Sequence, residues 1–255
     1  MIRFLWLDYR AALGERKVWF AVGIFAYAVL SLPVLLARPP PHVSNAMETW
    51  FGARDPFTLF MFMWTDLAMN KLIATLAVVL AGGVLLRERD TGVLPLLAAK
   101  PISLPRYFTV RTLSTCGVMA TVYLGAHLLG ALYFSAMVEG FRPGPFLAAA
   151  SLHVWAAIFA TALAATLLVV VGRRGLGLLA GLLALFSLVG LAFIGFYNPA
   201  WATLSLINPI SLGVQSLAHL DALGPGVLFP PALALMLLTT VTIAAGAWSV
   251  RKMEA

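Results

Sequence analysis

The amino-acid sequence predicts an all-α membrane protein with six transmembrane helices. The chain has 255 residues, of which 62% are hydrophobic and only 11% are charged, and its mean hydropathy is +0.95. Soluble domains contain about 25% charged and about 45–50% apolar residues, so this composition indicates a chain largely surrounded by lipid. One transmembrane domain over residues 1–255 is expected. Six apolar stretches approach the roughly 20 residues that cross a bilayer as a helix: Val18–Ala37, Asp66–Leu86, Phe108–Met137, Phe146–Val171, Leu176–Tyr197 and Leu228–Val250.

Residues 1–17, which precede the first span, predict an amphipathic helix in the membrane interface. Ile2, Trp6 and Tyr9 fall on one helical face, whereas Arg3 and Arg10 fall on another. The first span is longer than the apolar core of about 7–15 residues in a secretory signal peptide, so no signal peptide is predicted. Such a helix serves as an anchor or as a contact for a partner, and the sequence leaves both roles open.

The distribution of basic residues predicts the orientation of the chain. If the N-terminus lies in the cytoplasm, thirteen of the seventeen lysines and arginines lie on that side, and the exceptions are Arg38, Arg54, Lys71 and Arg142. The positive-inside rule then predicts both termini inside, in the inner (cytoplasmic) cell membrane. The net charge of +7 follows from this asymmetry and from attraction to anionic lipid, so no nucleic-acid partner is expected.

Residues 198–227, before the sixth span, predict an outer hairpin. Asn208 followed by Pro209 is a favourable helix start, with Asn as the cap and Pro at the first position. Gly224-Pro225-Gly226 is a strong stop signal, which leaves a helix of about fourteen residues between them. A helix of this length is too short to span, so it is expected to lie on the outer surface or to re-enter the membrane.

Polar residues inside the spans are the candidates for a substrate path. Asp66 and Asn70 share a face at the predicted outer boundary of the second span, with Lys71 about 100° further round the helix. His127 and His153, in the third and fourth spans, are expected at similar depth in an antiparallel hairpin. Ionisable groups at membrane depth are costly and mark functional sites. Two structural interpretations remain open: Asp66 and Lys71 extend outward to water, and each histidine bonds a backbone carbonyl.

Small residues predict a close helix-packing seam. Ala156, Ala160 and Ala164 repeat at intervals of four, and Gly177 and Gly181 form a G-x-x-x-G pattern. Such ridges let helix backbones approach each other closely. Packing within one subunit and a dimer seam both agree with this pattern.

The stretch RERDTGVLPLLAAKPISLPRYFTVR, from Arg87 to Arg111, is the most distinctive segment of the chain. It separates two spans and carries five basic residues, and its apolar middle, Val93 to Ala99, is predicted to form a short surface helix. A rigid amphipathic element facing the cytoplasm is what a membrane subunit needs for docking a soluble partner. Residues 87–107 are therefore interpreted as a coupling loop.

This loop resembles the first cytoplasmic loop of ABC-2 type permeases, the membrane subunits of ABC exporters with a type V-like fold. Their pattern is similar to E-x-x-x-G-x-x-x-x-L-x-x-x-P-[IL]-S-R, followed by an aromatic residue and a Lys. The sequence departs from it at Pro95, where a second acidic residue is common, and at Arg111, which replaces the Lys. It supplies Glu88, Gly92, Leu97, Pro101, Ile102 and Ser103, and then Tyr107 and Arg111.

The resemblance implies a permease that pairs with an identical or different second permease and binds separate ABC ATPase subunits. Those subunits would hold ATP and Mg, since this chain lacks the G-x-x-x-x-G-K-[ST] motif, and no cofactor or metal is expected in the chain itself. The chain is therefore not expected to be an enzyme. The residues implied in ATPase coupling are Arg87, Glu88, Arg89, Gly92, Leu97, Pro101, Ser103, Tyr107 and Arg111.

Several other functions remain as alternatives. An ion-coupled secondary carrier would use the candidate path residues as a relay, whereas an intramembrane enzyme would need more than the two histidines. A purely structural scaffold is a further alternative. Within the exporter class, a permease of a copper/sulfur or haem enzyme-maturation system is possible. Four methionines, Met47, Met61, Met63 and Met69, cluster near the outer face, and thioether ligands suit Cu(I).

Overall fold

The computed structural model describes residues 2–39, 41, 55–92, 103–197, 208–214, 217 and 220–251, and this part of the chain is all-α. Six of its helices are long and apolar enough to cross a membrane, which confirms the predicted fold class of a multi-pass membrane protein. The six spans are α2, α3, α5, α6, α7 and α9. The helices are α1 (Ile2–Leu13), α2 (Arg16–Ala37), α3 (Pro56–Ala81), α4 (Leu86–Asp90), α5 (Leu104–Met137), α6 (Pro143–Val171), α7 (Arg174–Tyr197), α8 (Pro209–Val214) and α9 (Pro225–Arg251).

Helix α6 lies at the centre of the bundle and packs against α5, α7, α9 and α3. Its ridge of Ala156, Ala160 and Ala164 is buried, and short side chains at these positions allow close backbone contact. Helix α9 approaches this core at Gly246, where an added Cβ would lie 2.6 Å from the Phe108 ring and 2.8 Å from Thr166 Oγ1. Small residues therefore determine how closely the central helices pack.

The bundle has two ends, which we name by the chain. The N-terminal end carries α1, α4 and the start of α5, and the distal end carries the start of α3 and the turn between α5 and α6. Helix α1 packs on α5, where Tyr9 lies against Gly117 and its hydroxyl lies 2.7 Å from Thr121 Oγ1. Ile2 and Trp6 remain exposed, as expected for a helix that contacts lipid.

The second span begins earlier and ends earlier than predicted. The side chain of Asp55 accepts a 3.0 Å hydrogen bond from Thr58 N, and Pro56 occupies the first helical position, so the helix starts there. It ends at Ala81, before two consecutive glycines. The helix therefore includes PFTLFMFMW, which was expected to begin the second span above the membrane surface, and its bounds differ from the predicted Asp66–Leu86 at both ends.

This shift changes the position of Asp66 within its helix. One cavity at the distal end is lined by Pro56 together with Ala37 and Met137, so α3 starts level with the distal ends of α2 and α5. Asp66 consequently lies near the middle of α3, rather than at the start of the helix as the predicted bounds implied.

The middle of α3, Asp66–Leu72, is a π-helix. In this form the backbone bonds run from residue i to i+5, and such segments are rare and often occur at functional sites. Neither hydropathy nor side-chain periodicity identifies the insertion of a π turn, so the sequence prediction treated this segment as a regular α-helix.

Two other predicted boundaries have clear outcomes. Helix α5 starts at Leu104 rather than Phe108, since Pro105 fits the first turn of a helix. Helix α8 begins as predicted, because Asn208 Oδ1 accepts a 3.0 Å hydrogen bond from Ile210 N. The described part of this helix is 6 residues long, and the following predicted residues lie partly outside the described chain.

Candidate functional site

The π-helical segment of α3 carries an exposed ion pair near the middle of the helix. Lys71 Nζ lies 2.8 Å from Asp66 Oδ2, and the two side chains are 64% and 25% exposed on the surface of the chain. The i to i+5 pattern brings these two residues onto one side of the helix, whereas a regular α-helix would separate them. Thr75, one turn further on, bonds the Lys71 carbonyl at 3.2 Å. The structure describes the backbone of Asn70, and its side chain lies outside what is described.

The two predicted histidines meet in the core. His127 Nε2 lies 3.2 Å from His153 Nδ1, and both side chains are fully buried. Trp64, which the sequence prediction did not include, donates its indole N–H to His127 Nε2 at 3.1 Å. A shell of phenylalanines, including Phe134 and Phe146, surrounds these rings. The cluster therefore joins α3, α5 and α6 inside the bundle.

The partners of His127 define its hydrogen-bonding state. Its Nδ1 lies 2.7 Å from the carbonyl oxygen of Tyr123, which only accepts, so Nδ1 carries the proton. Nε2 is then an acceptor shared by Trp64 and by the Nδ1–H of His153. His153 Nε2 is buried and has no hydrogen-bond partner among the described residues. The lone pair of His127 is already occupied, which favours a structural role over proton transfer through this ring.

The predicted coupling residues converge on a charged cluster at the N-terminal end. Arg111 lies 2.7 Å from Asp8 in α1 and 3.6 Å from Glu88 in α4, and Tyr107 donates a 3.0 Å hydrogen bond to Glu88. We call Asp8, Glu88, Tyr107 and Arg111 the α1–α4–α5 cluster. The resemblance implies a role for Glu88 in ATPase coupling, and in the structure its carboxylate contacts Tyr107 and Arg111 of α5.

Three buried polar atoms of the cluster lack a hydrogen-bond partner within the described chain. They are Asp8 Oδ2, Glu88 Oε2 and Arg111 Nε. Unpaired buried polar atoms are costly, so the loss of another partner would add to a cost that the cluster already carries. The cluster links the segment after α3 to α1 and α5, and both carboxylates share the guanidinium of Arg111.

The other predicted coupling residues occupy varied positions. Arg89 donates a 2.6 Å hydrogen bond to the carbonyl of Gly172, the residue that caps α6 in the left-handed conformation. Gly92 has a φ of +71°, a value that favours glycine. Ser103 immediately precedes α5. Leu97 and Pro101 lie outside the described residues, as does the predicted surface helix from Val93 to Ala99.

The glycine seam packs within the chain. A Cβ on Gly177 would lie 2.9 Å from the Leu168 Cα in α6, and one on Gly181 would lie 3.5 Å from a methyl of Val78 and 3.7 Å from the Ala164 Cα. Of the two arrangements that the sequence left open, the structure therefore shows the intrachain contact of α7 with α6.

At the distal end, Arg142 forms a contact that the sequence prediction did not identify. Its guanidinium lies 2.7 Å from Asp221 and 3.6 Å from Asp55, and it lies over the Phe57 ring at 4.4 Å. It therefore links the turn between α5 and α6 to the starts of α3 and α9. The signal was present, since Arg142 is one of few basic residues away from the predicted cytoplasmic side.

Among the methionines considered as metal ligands, Met61 and Met69 are fully buried among apolar side chains. Met63 is partly buried against the same core, and Met47 lies outside the described residues. Within the described part of the chain, no group of three His, Cys, Asp or Glu side chains is arranged to hold a metal ion.

No protein-family model matches this sequence, and a search of curated proteins finds no significant match.

Proposed function

We propose that this chain is the membrane-spanning permease subunit of an ABC exporter, driven by ATP hydrolysis in a separate ATPase subunit. It acts in the inner membrane with both termini in the cytoplasm, and it pairs with a second permease subunit. The observation that carries the proposal is the exposed Asp66–Lys71 pair near the middle of a membrane span. The resemblance of the loop from Glu88 to Arg111 to ABC-2 type permeases indicates the energy source.

The ion pair requires a polar environment outside the chain. A charged residue facing lipid at the centre of a span costs about 2.5–3.5 kcal/mol on the insertion scale. Lys71 is too far from either end of α3 to reach the interface by simple extension, because the helix start is level with the ends of its neighbours. Another protein surface or a water-filled passage must therefore cover this face. A second permease subunit facing α3 would enclose such a passage.

The α1–α4–α5 cluster supports the second part of the proposal, coupling to a soluble motor. It attaches the segment that follows α3 to α1 through Asp8 and to α5 through Arg111. A force applied to the loop would move these helices together rather than deform the loop alone. Small movements at such a rigid contact produce larger rearrangements when the helix bundle has two packing arrangements.

An ion-coupled secondary carrier remains the second candidate, because it would also use charges at mid-membrane depth. A relay through the histidines needs a ring nitrogen that is free to exchange a proton. His127 uses both nitrogens in hydrogen bonds, to Tyr123 on one side and to Trp64 and His153 on the other, whereas His153 Nε2 has no partner within the described chain. The histidine pair therefore does not separate the two candidates, and the resemblance of the loop from Glu88 to Arg111 to ABC-2 type permeases is what favours the exporter.

Water accessibility of the α3 face tests the proposal without knowledge of the substrate. We replace Cys116, the single cysteine, by Ala and introduce Lys71→Cys or Thr75→Cys in that background. Charged thiol reagents react with thiolates in water, so both cysteines should be modified in membranes. Leu128→Cys, on an exposed apolar face of α5, is the matched control and should stay unmodified.

Two outcomes contradict the assignment of a passage. Equal labelling of the α3 and α5 cysteines would show that the α3 face is no more accessible to water than the exposed apolar face of α5. Absence of labelling at both α3 positions, with the protein inserted and folded, would show that this face has no water next to it.

A further inference from the structure

A cavity of about 340 Å³ opens at the N-terminal end of the bundle, between the ends of α2, α3 and α7. Ligand sites in proteins commonly measure about 300–1,000 Å³, so this volume is sufficient for a small head group and part of a chain. Its apolar wall consists of valines, glycines and a leucine, and its polar rim is mainly basic. The lining residues are Glu15, Lys17, Val78, Val79, Gly82, Gly83, Arg87, Arg174 and Leu178.

The basic rim is only partly neutralised. Lys17 pairs with Glu15 at 3.1 Å and also donates to the Leu80 carbonyl at 2.7 Å. Arg174 uses Nε to bond the Gly82 carbonyl at 3.1 Å, which leaves its two terminal nitrogens without a bond to the described chain. The Arg87 side chain has no hydrogen bond or ion pair with any described residue. Two guanidinium groups at the rim therefore have N–H donors to offer.

Capping of the C-terminal end of α3 explains the positions of two of the three basic side chains at the rim, Lys17 and Arg174. Basic side chains bond the last carbonyls of a helix and interact favourably with its C-terminal dipole, as Lys17 and Arg174 do at the end of α3. The Arg87 side chain bonds no carbonyl of the residues that the structure describes, and this explanation does not extend to it.

The backbone after α3 directs Arg87 to the cavity. Leu85 has φ 62° and ψ −43°, and Leu86 N lies 2.7 Å from the Val84 carbonyl. This is the γ-turn with a positive central φ, which is rare and strained for a residue with a side chain. After this sharp turn, α4 begins at the next residue, Leu86. Arg87 then lines the cavity, and its side chain lies next to Gly83.

The same face of α3 connects the cavity with the exposed ion pair. Lys71, Thr75 and Val79 follow at intervals of four along one side of α3, and Gly83 lies in the turn just beyond its end. Val79 and Gly83 line the cavity, and Lys71 lies about 12 Å further along the helix at 1.5 Å per residue. Cationic groups thus occur both at the cavity rim and deeper along this side.

We propose that the cavity binds an amphipathic anion, an acidic head group such as a phosphate ester attached to an apolar chain. The guanidinium groups of Arg87 and Arg174 bind the head, since Arg donates paired hydrogen bonds to phosphate oxygens. Val78, Val79 and Leu178 contact the start of the chain. The cavity is the site where the substrate of the transporter binds from the side that carries the N-terminus, and this assignment of a role rests on the proposed function.

The test is direct binding to the purified chain in an uncharged maltoside detergent, with dodecyl phosphate as the probe. Wild-type protein should bind it saturably, and Arg87→Gln should weaken binding about tenfold, the effect of losing one charge-assisted hydrogen bond. Arg87 has no side-chain hydrogen bond or ion pair within the described part of the chain, so its replacement should leave the melting temperature unchanged. Gly83→Val, which fills the cavity without changing charge, should also weaken binding.

Arg173→Gln is the matched control, because Arg173 is an exposed neighbour that does not line the cavity. It should bind the probe as wild type does. Equal affinities of wild type, R87Q and G83V would overturn the proposal, and so would an equal loss in R87Q and R173Q, which indicates a general charge effect. Binding of dodecanol as tight as that of dodecyl phosphate would overturn the role of the head group.

Nanodiscs distinguish a membrane lipid from a soluble amphiphile as the source of this chemistry. If phosphatidylglycerol nanodiscs abolish dodecyl phosphate binding and phosphatidylcholine nanodiscs do not, the site takes an anionic phospholipid. If binding persists in both, the site takes an amphiphile in preference to bulk lipid. Both results support an anion site, and abolition of binding in both would contradict it.

Failure of this inference is separable from failure of the proposed function. Binding to the isolated chain needs no ATPase, so a bound anion without an ATPase partner would refute the exporter and keep the site. If an ATPase subunit accompanies the chain but the chain binds no anion, the anion site is refuted and the exporter is retained.

Discussion

Arg111 is the residue on which the α1–α4–α5 cluster depends, and its replacement by Met gives the sharpest test of that cluster. The change keeps an apolar stem of similar length and removes the guanidinium that lies between two carboxylates. Asp8 and Glu88 would then remain close to each other with no cation, at side-chain exposures of only 11% and 15%.

The magnitude follows from this burial. Removing one partner of a buried ion pair costs about 3–5 kcal/mol, and the partial exposure of the cluster favours the lower end, about 3 kcal/mol. For a chain of this size, each kcal/mol corresponds to about 2–4 °C in melting temperature, so Arg111→Met should lower it by about 6–12 °C. The seven tryptophans make thermal unfolding in detergent measurable by intrinsic fluorescence.

Two further variants separate the cluster from a general effect of charge. Arg106→Met removes an exposed arginine from the same helix and should leave the melting temperature almost unchanged. Combining Arg111→Met with Asp8→Asn and Glu88→Gln removes the stranded charges and should recover much of the loss. The reasoning is wrong if Arg111→Met and Arg106→Met have the same melting temperature. It is also wrong if the melting temperature of the triple variant is lower than that of Arg111→Met.

Three other predictions concern packing, the distal contact and topology. Gly177→Ala should destabilise the protein, because its Cβ would lie 2.9 Å from backbone of α6, whereas Gly181→Ala should be tolerated; equal melting temperatures would contradict the packing. Arg142→Gln should cost less than about 1 kcal/mol in thermal stability, since its ion pairs are solvent-exposed, and a larger loss would show a buried contact. In a Cys116→Ala background, an impermeant thiol reagent should label Asp221→Cys in intact cells and Arg173→Cys only after permeabilisation, and the reverse pattern would invert the topology.

Hydrophobicity made the six spans predictable, because a transmembrane helix must satisfy its backbone internally and cover itself with apolar side chains. Local capping chemistry was equally readable, as Asn208 shows at the start of α8. The start of α3 was present in the sequence as Asp55-Pro56, and the apolar run after it was expected to begin the second span above the membrane surface. The structure makes this run part of the same helix, which places Asp66 near the middle of α3.

Other features of the sites depend on tertiary structure. Glu88 belongs to a matching loop motif, and the contact of its carboxylate with Arg111, a residue of another helix, could not be predicted from that motif. The π-helical turn depends on how α3 packs, and no propensity identifies it. Trp64 was read as part of an apolar segment. Its indole N–H donates a hydrogen bond to His127 only when α3 and α5 are packed together, and the sequence does not show this contact. The periodicity of a single helix does not predict which side chains of other helices its residues contact.

Co-purification of the chain from its native membrane, followed by ATP hydrolysis by the complex, tests the central claim most directly. We predict that an ABC ATPase subunit accompanies the wild-type chain, and that Lys71→Leu retains this subunit while losing ATP-driven transport in proteoliposomes. The exporter is contradicted if no ABC ATPase accompanies the intact chain. It is equally contradicted if the purified chain alone transports its substrate under an ion gradient without ATP.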